Sequence, residues 1–173
     1  MVKIILNLPA KITTMLNLTG VYECCLDNKG RFMFPSALRK QLSGFINDGF
    51  IIKRSVHRQC LEIFPMQVWN KEMEGINRLN RYIKNNDDFI RALTAGHRFV
   101  EIDDSGRFLI PKDLIFFAEL EKNIVCATLI DRIELWDKEK YEKVISEISA
   151  DFSALAEKVM GKFNKENGES SIS

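Results

Sequence analysis

A nine-residue pattern occurs twice in this chain, and it limits the folds open to the rest of the sequence. The first copy reads Asp27-Asn28-Lys29-Gly30-Arg31-Phe32-Met33-Phe34-Pro35, and the second reads Asp103-Asp104-Ser105-Gly106-Arg107-Phe108-Leu109-Ile110-Pro111. Asp, Gly, Arg, Phe and Pro fall at the same offsets in both. Each copy follows an alternating, strand-like stretch (Val21 to Leu26; Phe99 to Ile102) and precedes a helix-like run. Asp-x-x-Gly between two strands predicts a hairpin. Gly30 and Gly106 supply the positive φ that the turn needs, and Asp27 and Asp103 can accept from backbone amides two or three residues on. The Arg after each Gly leaves the turn on the outgoing strand, where its side chain can stand clear of the surface.

The correspondence extends past the turns, as a true internal repeat requires. Leu38 answers to Leu114, and Leu42 lies near the equivalent of Ala118. Leu61-Glu62-Ile63-Phe64 matches Ile133-Glu134-Leu135-Trp136, and Trp69 matches Tyr141. The offset is 76 at the turns and 72 at these later strands, which places four extra residues of the first copy in its loop around Ser43 to Gly49.

A D-x-K-G-R-x-x-x-P paired with a D-x-x-G-R-x-x-x-P, each followed by an E-[IL]-[FW] strand, resembles the MraZ family of bacterial transcriptional regulators. The resemblance runs from about Leu18 to Gly161. It implies a mainly β fold with peripheral helices (α+β): a double-split β-barrel of the AbrB and MazE kind, built from two swapped-hairpin repeats in one chain. It also implies ring-shaped homo-oligomers on short repeated elements of double-stranded DNA, upstream of cell-division and cell-wall genes. The family's DNA contacts carry over to Asp27 and Arg31 in the first turn and to Asp103 and Arg107 in the second. Ser105 stands where Lys29 does, so the two turns need not contribute equally.

A length of 173 residues suits one compact domain or two small halves sharing a core. Residues 1–15 fall outside the repeat and read as an N-terminal arm, flexible or left by an upstream start. Residues 16–64 form the first repeat, 65–98 connecting helices and 99–141 the second repeat. A C-terminal helix over 138–163 and a disordered tail over 164–173 follow. Trp69, Met73, Ile76, Leu79 and Ile83 make one helical stripe between Pro65 and Lys84. Tyr141, Ile145, Ile148, Phe152, Leu155 and Val159 form a near-heptad seam. That seam can lie on its own chain, the favoured reading, or join neighbouring protomers.

The net charge of +1 conceals an asymmetry. Residues 1–98 hold 15 Lys/Arg and 8 Asp/Glu, net +7; residues 99–173 hold 10 and 16, net −6. A near-neutral chain is no indiscriminate coat for nucleic acid, yet it allows a local basic face. Lys29, Arg31, Arg39, Lys53, Arg54 and Arg58 supply one from the first half, with Arg107 from the second. An arginine can fork onto a phosphate or onto guanine O6 and N7, whereas a lysine suits a phosphate. Carboxylates face DNA poorly, so Asp27 and Asp103 read as locks that orient Arg31 and Arg107.

Other functions fit less well. His57 and His97 are the only histidines, and neither sits in a nucleophile or metal motif. His57-x-x-Cys60 is half a zinc site without its other half. Cys24, Cys25, Cys60 and Cys126 lie in apolar stretches and read as reduced core thiols. No enzyme activity, cofactor, metal, small-molecule substrate or membrane span is expected. The expected setting is the cytoplasm, at the nucleoid. The alternative reading is an antitoxin-like protein-binding module on the same barrel.

Overall fold

The computed structural model describes residues 15–168. Readings that concern residues 1–14 and 169–173 lie outside the described residues.

The first repeat forms β1 (Val21–Cys25), β2 (Arg31–Met33), α1 (Ser36–Gln41), β3 (Phe50–Arg54), β4 (Leu61–Pro65) and α2 (Met66–Ile76). A short helix α3 (Lys84–Leu93) connects it to the second. The second forms β5 (Arg98–Val100), β6 (Arg107–Leu109), α4 (Lys112–Ala118), β7 (Asn123–Leu129), β8 (Arg132–Asp137) and α5 (Lys138–Ala150), followed by α6 (Phe152–Gly168). Helices α1, α2 and α4 start just after Pro35, Pro65 and Pro111. Proline's fixed φ suits it to a helix entry, where few amide donors have partners to lose.

The strands make a six-stranded antiparallel sheet in the order β1-β7-β8-β4-β3-β5 and a two-stranded ribbon of β2 and β6. The register shows how the repeats combine. Phe32 lies opposite Phe108 in the ribbon, and Glu62 lies opposite Glu134 where β4 meets β8. In both places a residue faces its own counterpart, which requires a pseudo-two-fold axis through the ribbon and the sheet centre. The outer strands obey the same axis: Cys24 of β1 pairs with Ile124 of β7, while Val100 of β5 pairs with Phe50 of β3. Each repeat therefore places its first strand beside the other repeat's hairpin.

This fold is mixed α+β with a large antiparallel sheet, not a closed barrel, because β1 and β5 end the sheet as edge strands. The register also relocates the length difference between repeats. Pro35 to Phe50 is 15 positions and Pro111 to Ile124 is 13; Arg54 to Leu61 is 7 and Thr128 to Ile133 is 5. Two of the four extra residues thus lie before β3, as expected, and the other two lie in the β3–β4 hairpin. The stripe expected as one helix to Lys84 is divided, since α2 stops at Ile76 and turns lead to α3. The C-terminal helix likewise breaks at Asp151 (φ −120°, ψ 20°) and continues to Gly168, into the segment expected to be a disordered tail.

One face of the sheet and the inner face of the ribbon enclose a single core drawn from both repeats. Phe32, Phe34, Phe50, Ile52, Leu61, Ile63, Phe108, Ile110, Ile124, Ile133 and Leu135 are almost fully buried in it. Leu38 of α1 and Leu114 of α4, repeat counterparts, close it from outside. Four phenylalanines form its centre, with ring centroids 5.6 Å apart for Phe32–Phe108, 5.9 Å for Phe34–Phe108 and 6.1 Å for Phe50–Phe108. The opposite face of the sheet is covered by α2, through Trp69 on Phe64, and by α5, through Tyr141 on Trp136. Of the cysteines, Cys60 and Cys126 are buried and Cys24 is half-buried, but Cys25 is exposed at the end of an edge strand, so it is not a core thiol.

Candidate nucleic-acid interface

Both Asp-x-x-Gly-Arg turns close in the same way. Asp27 Oδ1 accepts from the amides of Lys29 and Arg31, each at 2.9 Å, and Oδ2 accepts from Arg31 Nε at 3.0 Å. Asp103 does the same with the amides of Ser105 and Arg107 at 2.9 Å and Arg107 Nε at 3.2 Å. The backbone adds Asp27 N–H to Arg31 O and Gly30 N–H to Asp27 O, with Asp103, Gly106 and Arg107 repeating the set. Gly30 and Gly106 have φ of 81° and 78°, a region in which side-chain-bearing residues are strained.

The two turns are also tied to each other. Phe34 donates its amide to Gly106 O at 3.0 Å, and Ile110 donates to Gly30 O at 2.8 Å. Between them the ribbon pairs Arg31 with Leu109 and Met33 with Arg107. Phe32 and Phe108 point into the core, so strand alternation places Arg31, Met33, Arg107 and Leu109 together on the outer face. Met33 and Leu109 are exposed there. A motif search passes over these two, although their alternation with the phenylalanines marks them as part of the outer ribbon face.

Each arginine is held by Nε and left open at its far end. Among the described residues, the Nη groups of Arg31 and Arg107 have no ion pair or hydrogen bond, and the side chains are 28% and 35% exposed. The guanidinium plane is thus fixed by its own turn while the terminal fork faces outward. Such a fork suits a bidentate anion or a guanine edge.

Hydrogen bonds from the Arg31 amide, followed by those from its side chain and the Lys29 amide, hold the Asp27 carboxyl below its ordinary value of 3.8. The Arg107 amide, the Arg107 charge and the Ser105 amide do the same for Asp103. A carboxylate depressed in the folded state stabilises its turn above the unfolded value and loses that contribution as pH falls through the folded one. We therefore expect the Nε–H resonances of Arg31 and Arg107 to persist at neutral pH and to titrate with midpoints below 3.8 on acidification. Titration at or above that value would mean that the turns are not locked by these carboxylates.

The remaining basic residues divide sharply. Lys29 is exposed at the tip of the first turn, with Ser105 opposite in the second. Arg39, on α1, reaches the second turn, where its Nη1 would lie 2.7 Å from a Cβ placed on Gly106. Arg58 is exposed in the β3–β4 hairpin. Lys53 does not belong to the basic face. It is 1% exposed, its Nζ lies 2.5 Å from Glu62 Oε2, and it donates to Arg54 O at 3.1 Å. Burial beside Glu62 makes it a partner for charge inside the sheet layer and removes it from any ligand. Arg54 is half-buried with its guanidinium over Phe117, 4.8 Å from the ring centroid, and acts as a packing element.

Candidates for other chemistry are not assembled. His57 is exposed, and burial together with Glu134 pushes the Cys60 thiol up to about 12. Among the described residues, no group of three His, Cys, Asp or Glu side chains is placed to hold a metal ion, and no helix is long and apolar enough to cross a membrane.

Residues 17–91 and 93–163 match the family described as "MraZ protein, putative antitoxin-like". A protein of Christiangramia forsetii named transcriptional regulator MraZ is 55% identical over 147 residues, 85% of this chain and 95% of that protein. One of the same name from Flavobacterium psychrophilum is 52% identical over 150 residues, 87% of this chain and 96% of that one. A third, from Pediococcus pentosaceus, is 34% identical over 141 residues, covering 82% and 95%.

Proposed function

The chain belongs to the MraZ family, whose relatives are named as transcriptional regulators and not as enzymes, and from that premise we propose that it regulates transcription by binding double-stranded DNA through its paired turns. The observation that carries the reading is the joining of the two turns. Hydrogen bonds between Phe34 and Gly106 and between Ile110 and Gly30 hold Arg31 and Arg107 on one rigid ribbon. A lone Asp–Arg pair at a surface closes its own turn and contributes little to stability, because solvent screens it. Two such pairs about an internal axis, both with outward forks, match a ligand that repeats along its length.

The finer parts of the proposal follow from the family resemblance and the exposed surfaces. One ribbon offers few phosphate contacts, so useful affinity at near-neutral net charge needs several protomers on repeated elements. Phe152, Leu155, Val159 and Phe163 expose an apolar face along α6, which supports association into a ring. The exchange of first strands between repeats fits the swapped-hairpin plan of AbrB-like barrels. The proposed targets are elements upstream of cell-division and cell-wall genes, the chain's own gene among them, with the protein acting in the cytoplasm at the nucleoid.

The test is a salt titration of the protein on a duplex of its own upstream DNA, with a shuffled duplex as competitor. The reading expects log K to fall linearly with log salt and the upstream duplex to be preferred. Binding without salt dependence, or equal binding to both duplexes, would overturn it. The family description also carries an antitoxin-like reading. Co-purification with a small protein at fixed stoichiometry, in place of DNA binding, would favour that one.

A further inference from the structure

We infer that Arg39 is the second phosphate-binding cation of the Asp103–Arg107 turn, supplying from α1 the charge that this turn lacks at Ser105. The inference rests on the DNA-binding reading of the ribbon. By sequence the turns are unequal, since the first carries Lys29 and Arg31 and the second carries Arg107 beside Ser105. The fold evens them by a route that the turn sequences do not show.

Arg39 and Ile115 are repeat counterparts, each four positions after its proline. Because the ribbon strands cross the pseudo-two-fold axis, each helix packs on the turn of the other repeat. A Cβ on Gly30 would lie 2.9 Å from Ile115 Cδ1; one on Gly106 would lie 2.7 Å from Arg39 Nη1 and 3.2 Å from its Cζ. The first turn, which has its own lysine, therefore meets an isoleucine, and the second, which has none, meets a guanidinium. Each turn has two cations, placed by different elements.

The head of Arg39 is also on the correct face. Met33 Sδ lies 3.4 Å from the same point at Gly106, and Met33 is exposed on the outer ribbon opposite Arg107. Among the described residues, Arg39 makes no salt bridge within 4 Å, and its buried Nε has no hydrogen-bond partner. Packing against the turn, not a protein carboxylate, holds this cation in place. A fixed guanidinium without an internal anion, beside a second arginine, is suited to an external phosphate.

The experiment compares salt dependence on the upstream duplex for the wild type and for Arg39→Gln, with Arg39→Met as a second neutral variant that keeps the packing. Loss of one phosphate contact is expected to reduce the slope of log K against log salt by about 0.9 and affinity by about fivefold at 0.15 M salt. Arg39→Lys is expected to retain the wild-type slope, and Ser105→Lys added to Arg39→Gln to restore it. A purely structural Arg39 would change the melting temperature without changing the slope. Salt-dependent wild-type binding with an unchanged slope in the neutral variants overturns this inference alone. Absence of salt-dependent binding by the wild type overturns the DNA reading and this inference with it.

Discussion

Replacing Lys53 with methionine is expected to destabilise the fold by about 3–5 kcal/mol, the range for removing one partner of a buried ion pair. Lys53 Nζ meets Glu62 Oε2 at 2.5 Å, and Glu62 lies across the pseudo-two-fold axis from Glu134. The position equivalent to Lys53 in the second repeat is Ala127, opposite Glu134, so the second repeat supplies no matching lysine. Burial, with the charge of Glu62, raises the Glu134 carboxyl above its ordinary 4.5, against a hydrogen bond from Trp136 Nε1 at 2.9 Å. Without Lys53, Glu62 loses its buried partner beside Glu134, which keeps the Trp136 hydrogen bond and the charges of Arg132 and Arg58. A carboxyl raised in the folded state costs stability as pH climbs past its unfolded value, and that cost vanishes below it. The deficit of Lys53→Met should accordingly be largest at neutral pH and shrink on acidification toward the ordinary glutamate value. Chemical denaturation across pH measures it. A deficit independent of pH would mean that lost packing, not exposed charge, is responsible.

Phe108→Ala is expected to cost about 3–5 kcal/mol as well, by leaving a cavity that the surrounding structure only partly closes. Its ring is fully buried and packs against Phe32, Phe34 and Phe50 across the repeat boundary. Because β6 carries Phe108 between Arg107 and Leu109, the same substitution should loosen the ribbon. Amide exchange at Phe34 and Ile110, which bond the opposite turns, should then accelerate along with the global loss. Unchanged exchange at those two amides would show that the turns are held independently of the aromatic core.

The turns were legible because their chemistry is local. Asp, Gly and Arg within five positions determine the hydrogen bonds of Asp27 and Asp103 whatever surrounds them. The pairing of the repeats was not legible in the same way. It depends on contacts such as Phe32 with Phe108 and Cys24 with Ile124, between residues far apart in the chain. Matching motifs show that two units exist, but not which strand of one lies beside which strand of the other. That exchange is also what carries Arg39 to Gly106, away from the turn of its own repeat.

Lys53 reads as surface charge in the sequence, because a lysine near the end of an apolar strand ordinarily reaches solvent. The correcting signal lay in the matched Glu62 and Glu134, whose shared position in two central strands creates a demand for a buried cation. Arg54, one position on, alternates to the other face and covers Phe117. At the C-terminus the apolar spacing from Tyr141 to Val159 runs unbroken through Asp151 with no glycine or proline to mark an end. The helix breaks there all the same, and whereas Tyr141 packs on Trp136, Phe152 and Val159 are left exposed.

The most direct measurement is the affinity and salt dependence of an Arg31→Ala/Arg107→Ala double variant on the upstream duplex, with its melting temperature recorded alongside. Both guanidinium forks face solvent and neither side chain lies in the core, so the fold should survive. Losing two DNA-contacting arginines at about 1–3 kcal/mol each should lower affinity by at least tenfold, and the salt slope should fall by about 2 if both contact phosphate. A folded double variant that binds as tightly as the wild type would contradict the placement of DNA on this ribbon.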